Sequence, residues 1–245
     1  MPRLLALDLD GTLIRSEALK AESYAFAARQ LRPGIDAGAV EAAYVPLVGS
    51  SREHITRTLL EAFGLAPEAR ALDRREEPWR TYVGLRLECY RAMLEDAALV
   101  RRNTWEHAAG LLRQAREVAE HVALVTTSER WAADLVLRAM GWEDAFDTIV
   151  TADDVPAVKP DPAGYRLALE RTGADPERAL AIEDSPSGVR AALGAGIRPL
   201  AVPTPFTRAR VARMVDAGEL DAAAVVAPDA LEAAARQRLG GSGGA

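Results

Sequence analysis

An apolar run at residues 4–7, LLAL, is closed by two carboxylates two positions apart, Asp8 and Asp10, and then at once by Gly11 and Thr12. In a strand, alternate side chains share a face, so the two aspartates point the same way if extended geometry persists. Like charges held together raise one pKa or recruit a cation, and either outcome suits chemistry better than structure. Asp-Gly is also a common turn dipeptide, so the pair alone leaves an ordinary strand end open. Further along, Thr126 follows the apolar run 122–125, Lys159 precedes Pro160 in a loop, and Glu183 and Asp184 follow the run 179–182. Ligands of open parallel sheets bind at the carboxyl ends of the strands. Carboxylate, hydroxyl and ammonium recurring at several such ends exceed what turns require.

The elements that must position these residues fall into two rhythms. From 16 to 96 the chain is rich in Ala, Leu, Glu and Arg, which predicts a helical block: 17–31, a helix within 37–44, 52–63 between Ser51 and Gly64, and one or two helices over 67–93. Helices without strands, inserted just after a first strand, suggest a separate cap. From residue 102 short β-type runs alternate with amphipathic helices. The expected order is a helix over 104–118 with Asn103 and Glu106 at capping-box spacing, strand 122–125, helix 129–140 stopped by Gly141, and strand 148–150. Then come a helix from Pro162 capped by Asp161 and stopped by Gly173, strand 179–182, a helix from Pro186 closed by Gly196, and short strands near 200–202 and 224–226. This alternation predicts an α/β fold, a Rossmann-like doubly wound parallel sheet core over 1–15 and 97–240 with an inserted all-helical cap domain over 16–96. Residues 241–245, glycine-rich, are expected to be a disordered tail.

Composition narrows the functions. A chain of 245 residues with 49% apolar and 27% charged residues is that of an ordinary soluble protein, long enough for one large domain or two unequal ones. A net charge of −6 lacks the basic footprint that a nucleic-acid partner requires. Cys89 is the single cysteine, which excludes disulfides within the chain. His54, His107 and His121 lack ligand spacing and are read as ordinary helix residues. The start of the chain is too short in apolar residues for a signal peptide, and no stretch approaches a membrane span, so no membrane partner and a cytoplasmic protein are expected.

Four ordered motifs carry a resemblance: DLDGT at 8–12, VTTS at 125–128, VKPDP at 158–162 and IEDSPSG at 182–188. On these the chain resembles the haloacid dehalogenase superfamily, in the branch with an all-helical cap after the first strand that includes phosphoglycolate phosphatases and β-phosphoglucomutases. The resemblance implies that Asp8 attacks phosphorus and that Asp10 protonates the leaving oxygen and later activates water. It makes Thr126 a hydrogen-bond donor to the phosphoryl group, with Thr127 and Ser128 beside it in substrate binding, and Lys159 the residue that positions nucleophile and phosphate. Asp8, Asp184 and the carbonyl of Asp10 would hold Mg²⁺, with Glu183 assisting directly or through water. Elementary electrostatics agrees, because four carboxylates would repel a phosphate dianion without a divalent cation and Lys159, and oxygen ligands favour Mg²⁺ over zinc.

Asp10 points to phosphate esters, since halide expulsion needs no proton donor. The segment VGSSREH at 48–54 resembles the family's substrate-facing cap loop, where an arginine at the position of Arg52 contacts a second phosphate or carboxylate, and Lys20 is a second candidate. Arg15, Lys20 and Arg130 stand where β-phosphoglucomutase-like and other relatives carry Asp, His and Asn. The expectation is therefore a monomeric Mg²⁺-dependent phosphatase of a small phosphorylated metabolite, a sugar phosphate or phosphoglycolate-like acid. The alternatives are a phosphomutase of the β-phosphoglucomutase type and, from another class, a non-catalytic binding protein on this fold.

Overall fold

Leu4, Leu5, Ala6 and Leu7 form the first strand, β1 (Leu4–Leu7), and all four are buried, as in a strand covered on both faces of a parallel sheet. The computed structural model describes residues 3–240. The chain folds as two compact units, Met1–Arg15 with Ala97–Ala245, and Ser16–Asp96.

Within the Ser16–Asp96 unit the elements are helices α1 (Ser16–Leu31), α2 (Ala37–Tyr44), α3 (Arg52–Phe63), α4 (Ala66–Leu72) and α5 (Pro78–Glu95). Helix α3 begins where Ser51 accepts the amide of His54 and ends at Gly64. Tyr24 of α1 meets Tyr44 of α2 at a 31° tilt, 5.2 Å between ring centres, and Tyr82 of α5 edge-on at 6.1 Å. The Tyr82 hydroxyl donates to the Tyr24 carbonyl at 2.9 Å, which joins α5 to α1 through a buried polar contact.

The other unit continues with α6 (Ala97–Arg102), α7 (Glu106–Arg113), α8 (Ala115–Val118), β2 (His121–Val125), α9 (Arg130–Met140), β3 (Thr148–Val150), α10 (Ala163–Thr172), β4 (Ala179–Glu183), α11 (Pro186–Gly194), β5 (Arg198–Ala201), α12 (Arg208–Asp216) and α13 (Leu231–Gly240). The strands form one parallel sheet in the order β3-β2-β1-β4-β5. Leu4 pairs with His121 and Ala179, and Leu7 with Leu124 and Ile182, so the three central strands run out level with one another. One face, including Leu4, Ala6, Ala123, Val125, Ala179 and Ala181, packs against α10 and α11. The small alanines let those helices approach closely. Leu5 and Leu7 are buried on the alternate face, each worth about 1.5–3 kcal/mol relative to exposure.

Several sequence expectations change. The helix expected over 104–118 is two, α7 and α8, broken at Gln114, whose side-chain amide donates to Glu232 of α13 at 3.2 Å. Asn103 caps nothing there, because its side chain donates instead to the carbonyl of Leu99 at 3.0 Å. His121 opens β2 rather than lying in a helix, since it adjoins the apolar run that pairs with β1. The strand expected over 224–226 is reduced to one bridge, Ala201 to Val225, because Asp221 accepts the amide of Ala223 and holds Ala222–Ala224 in a 3-10 turn. Helix α10 starts one residue late, at Ala163, although Asp161 does accept its amide at 2.8 Å. Helices α6, α12 and α13 were not anticipated. The expected tail over 241–245 lies outside the described residues. Among the described residues no helix is long and apolar enough to cross a membrane.

Candidate active site

The sheet ladder extends one residue past β1, where the Asp8 amide donates to the Ile182 carbonyl at 3.1 Å, and there it stops. Gly11 then takes φ +89°, a conformation that costs glycine little, and its amide donates to the carbonyl of Ile14 at 2.8 Å. The chain bends at Leu9, so β1 does not continue to Asp10, which instead bridges to Ile14. The two aspartates differ accordingly: Asp8 is buried, whereas half-buried Asp10 accepts a hydrogen bond from the Ser128 hydroxyl.

Lys159 is the hub. Its Nζ donates to Asp8 Oδ1 at 2.7 Å, to the carbonyl of Val125 at 2.7 Å and to Glu183 Oε1 at 2.6 Å. All three side chains in the ion pairs are buried, with 6%, 7% and 1% of the Lys159, Asp8 and Glu183 side chains exposed. The carboxylates of Asp8, Glu183 and Asp184 each offer an oxygen within 4.8 Å of the others. One ammonium thus pairs with two buried carboxylates, and a third, Asp184, lies beside them. With only the protein's own groups around them, burial pushes Asp8 upward against the pull of Lys159, and burial raises Glu183 likewise. Burial works against the Lys159 ammonium, but Asp8 and Glu183 more than offset it and hold Lys159 above its ordinary value. Asp8 Oδ2 and Glu183 Oε2 are buried without hydrogen-bond partners. Unpartnered anionic oxygens in an oxygen-only set fit a hard divalent cation such as Mg²⁺.

Thr126 continues β2, its amide donating to the Val150 carbonyl at 2.9 Å. Its hydroxyl accepts the Ser128 amide at 3.0 Å, which leaves the O–H to donate elsewhere. Ser128, expected among the substrate contacts, has its hydroxyl on Asp10, and Thr127 is exposed on the same loop. Arg130 is a structural residue, its guanidinium donating to Asp154 and to the Ile149 carbonyl. Lys20 and Arg52 belong to the helical unit, Lys20 half-buried on α1 and Arg52 exposed at the first position of α3.

A family model described as haloacid dehalogenase-like hydrolase matches residues 2–196. The chain belongs to this family. The validoxylamine A 7′-phosphate phosphatase of Streptomyces hygroscopicus subsp. limoneus is 30% identical over 204 residues, 80% of this chain and 84% of that protein. The phosphoglycolate phosphatase of Rhodospirillum rubrum is 27% identical over 216 residues, 87% of this chain and 85% of that one. Among solved structures, CbbY from Rhodobacter sphaeroides in complex with phosphate superposes with a TM-score of 0.63 at 27% identity, covering 85% of this chain and 89% of that chain.

Two residues of this haloacid dehalogenase-like site have no role assigned from sequence, Tyr165 and the glycine that closes the 182–188 motif, Gly188. Tyr165 donates its hydroxyl to Glu183 Oε1 at 2.6 Å, yet in sequence it is one more apolar position of a helix. Gly188 sits where a Cβ would fall on the Glu183 carboxylate. A glycine in the first turn of a helix is costly in propensity, and that cost was the available signal.

Proposed function

We propose that this protein is a Mg²⁺-dependent phosphatase that hydrolyses a small phosphorylated metabolite through a phosphoaspartate on Asp8. The observation that carries this is the buried constellation itself: Lys159 Nζ clamps Asp8 and Glu183 beside Asp184, with Asp8 Oδ2 and Glu183 Oε2 left unpartnered. Asp8, Asp184 and the carbonyl of Asp10 would hold the cation, with Glu183 acting directly or through water. When bound, Mg²⁺ supplies the positive charge that lets an anionic ester approach these carboxylates.

In the first step a carboxylate oxygen of Asp8 attacks phosphorus, the P–O bond to the alcohol breaks, and Asp10 gives its proton to the departing oxygen. In the second step Asp10 takes a proton from water, which attacks the phosphoaspartate and releases phosphate, restoring Asp8 as carboxylate and Asp10 as acid. The Ser128 hydroxyl steadies Asp10 for both transfers. Lys159 holds the nucleophile and offsets charge on the phosphoryl oxygens, to which the Thr126 O–H donates. Thr127 lies beside them, and Lys20 and Arg52 of the helical unit are the candidates for contacts to the rest of the substrate. The phosphatases named among the relatives support a sugar phosphate or phosphoglycolate-like acid as that substrate.

A screen of phosphate release over phosphorylated metabolites with Mg²⁺ tests this. Turnover of at least one such ester, abolished in Asp8→Asn, is the expected result. Isomerisation of β-glucose 1-phosphate with negligible phosphate release would overturn it in favour of a mutase.

A further inference from the structure

Tyr165 is wholly buried on α10, within the apolar face that includes Val125, Val150 and Ala168, and a phenylalanine would fill that space as well. Apolar packing alone therefore does not call for its hydroxyl. That hydroxyl donates to Glu183 Oε1 at 2.6 Å, and the same oxygen receives Lys159 Nζ, which stands 5.2 Å from the centre of the Tyr165 ring. Two donors on one oxygen fix the rotation of the carboxylate, and Gly188 lies close against it. Oε2, left without a hydrogen-bond partner, is the carboxylate oxygen that lies against Gly188. Without Tyr165, Lys159 would be the one remaining donor to Oε1, and it is already shared with Asp8 and the Val125 carbonyl.

We propose that Tyr165 is a positioning residue of the metal site, whose hydroxyl holds the Glu183 carboxylate in place beside Asp8 and Asp184, where it serves the cation directly or through water. This rests on the functional reading above and adds to it a residue that touches neither substrate nor metal. Partners that orient metal-binding carboxylates from behind are worth about 10–100-fold in metal affinity.

Calorimetric titration of the full chain with Mg²⁺ tests it. Tyr165→Phe is expected to bind Mg²⁺ about tenfold more weakly than wild type, with the Mg²⁺ concentration for half-maximal phosphate release rising in parallel and kcat at saturating Mg²⁺ within about twofold. Tyr82→Phe, which removes a buried hydroxyl in the helical unit, leaves the affinity unchanged. In a Glu183→Gln background the Tyr165→Phe change has no further effect, because the group it orients is gone. Equal Mg²⁺ affinity in wild type and Tyr165→Phe would overturn the role of Tyr165 alone, as would the same loss in the Glu183→Gln background. A wild-type protein that binds no Mg²⁺ would overturn the functional reading as well.

Discussion

Lys159 and Asp8 carry two different burdens. Asp8 is the nucleophile of the proposed reaction, so Asp8→Asn, nearly identical in shape, should lower phosphate release by at least about a thousandfold while the protein stays folded. Activity within tenfold of wild type would remove Asp8 from the chemistry. Lys159 is also a stability residue, because its ammonium is the buried partner of both Asp8 and Glu183. Lys159→Met leaves those carboxylates uncompensated, and urea unfolding of the metal-free protein should show a loss of about 3–5 kcal/mol. A loss below about 1 kcal/mol would mean that the carboxylates are balanced in some other way. Asp8 is legible in sequence by its place at a strand end and Lys159 by its loop position before Pro160, whereas Tyr165, inside an apolar helix face, is not.

Secondary-structure elements bring the site residues to one edge by ending together. Leu7, Leu124 and Ile182 are in register, so the chain leaves β1, β2 and β4 nearly level and delivers Asp8 beside Glu183, with Thr126 one residue further along β2. Helix α11 then starts under Glu183, and Gly188→Ala should disturb it through the added Cβ, costing about 1–3 kcal/mol in urea unfolding and weakening Mg²⁺ binding. Unchanged Mg²⁺ affinity in that variant would show that the carboxylate has room to give.

The turn after β3 is secured differently. Burial works against the Asp154 carboxylate, but bonds from the Thr151 hydroxyl and amide and from Arg171, with the charge of Arg130, bring it down to about 2 from 3.8. A carboxylate depressed in the folded state stabilises above its unfolded value, and that contribution disappears as pH falls from about 4 towards 2. The gap in unfolding free energy between wild type and Asp154→Asn, about 1 kcal/mol after allowance for solvent screening, should close over that window. A gap that stays constant with pH would assign it to packing rather than charge. The α7–α8 break at Gln114 and the short bridge at Val225 were illegible beforehand for a related reason, since each is set by partners distant in sequence or by a local cap that competes with pairing.

For the molecule as a whole, the proposed function couples metal binding to folding. A cation held by buried carboxylates binds the native chain and not the unfolded one, so Mg²⁺ at a hundred times its dissociation constant should add about 2.7 kcal/mol. Thermal unfolding should therefore move up with Mg²⁺ and back with a chelator, and phosphate release should stop in the chelator and return on adding Mg²⁺. A transition indifferent to Mg²⁺ would argue against a cation among Asp8, Glu183 and Asp184.

The order of strands and helices, the helical insertion and the residues to which the proposed function gives chemical roles could be read from the chain, because a strand end, a cap or a motif is written within a few consecutive residues. The partners of those residues could not. Lys159 and Asp8 are separated by 151 positions, and nothing local to either says which oxygen the ammonium will take, that Ser128 will hold Asp10, or that a helix tyrosine will share Glu183 with the lysine. Those contacts exist because parallel pairing places three strand ends level and close packing of α10 and α11 then allows one arrangement of the buried groups between them.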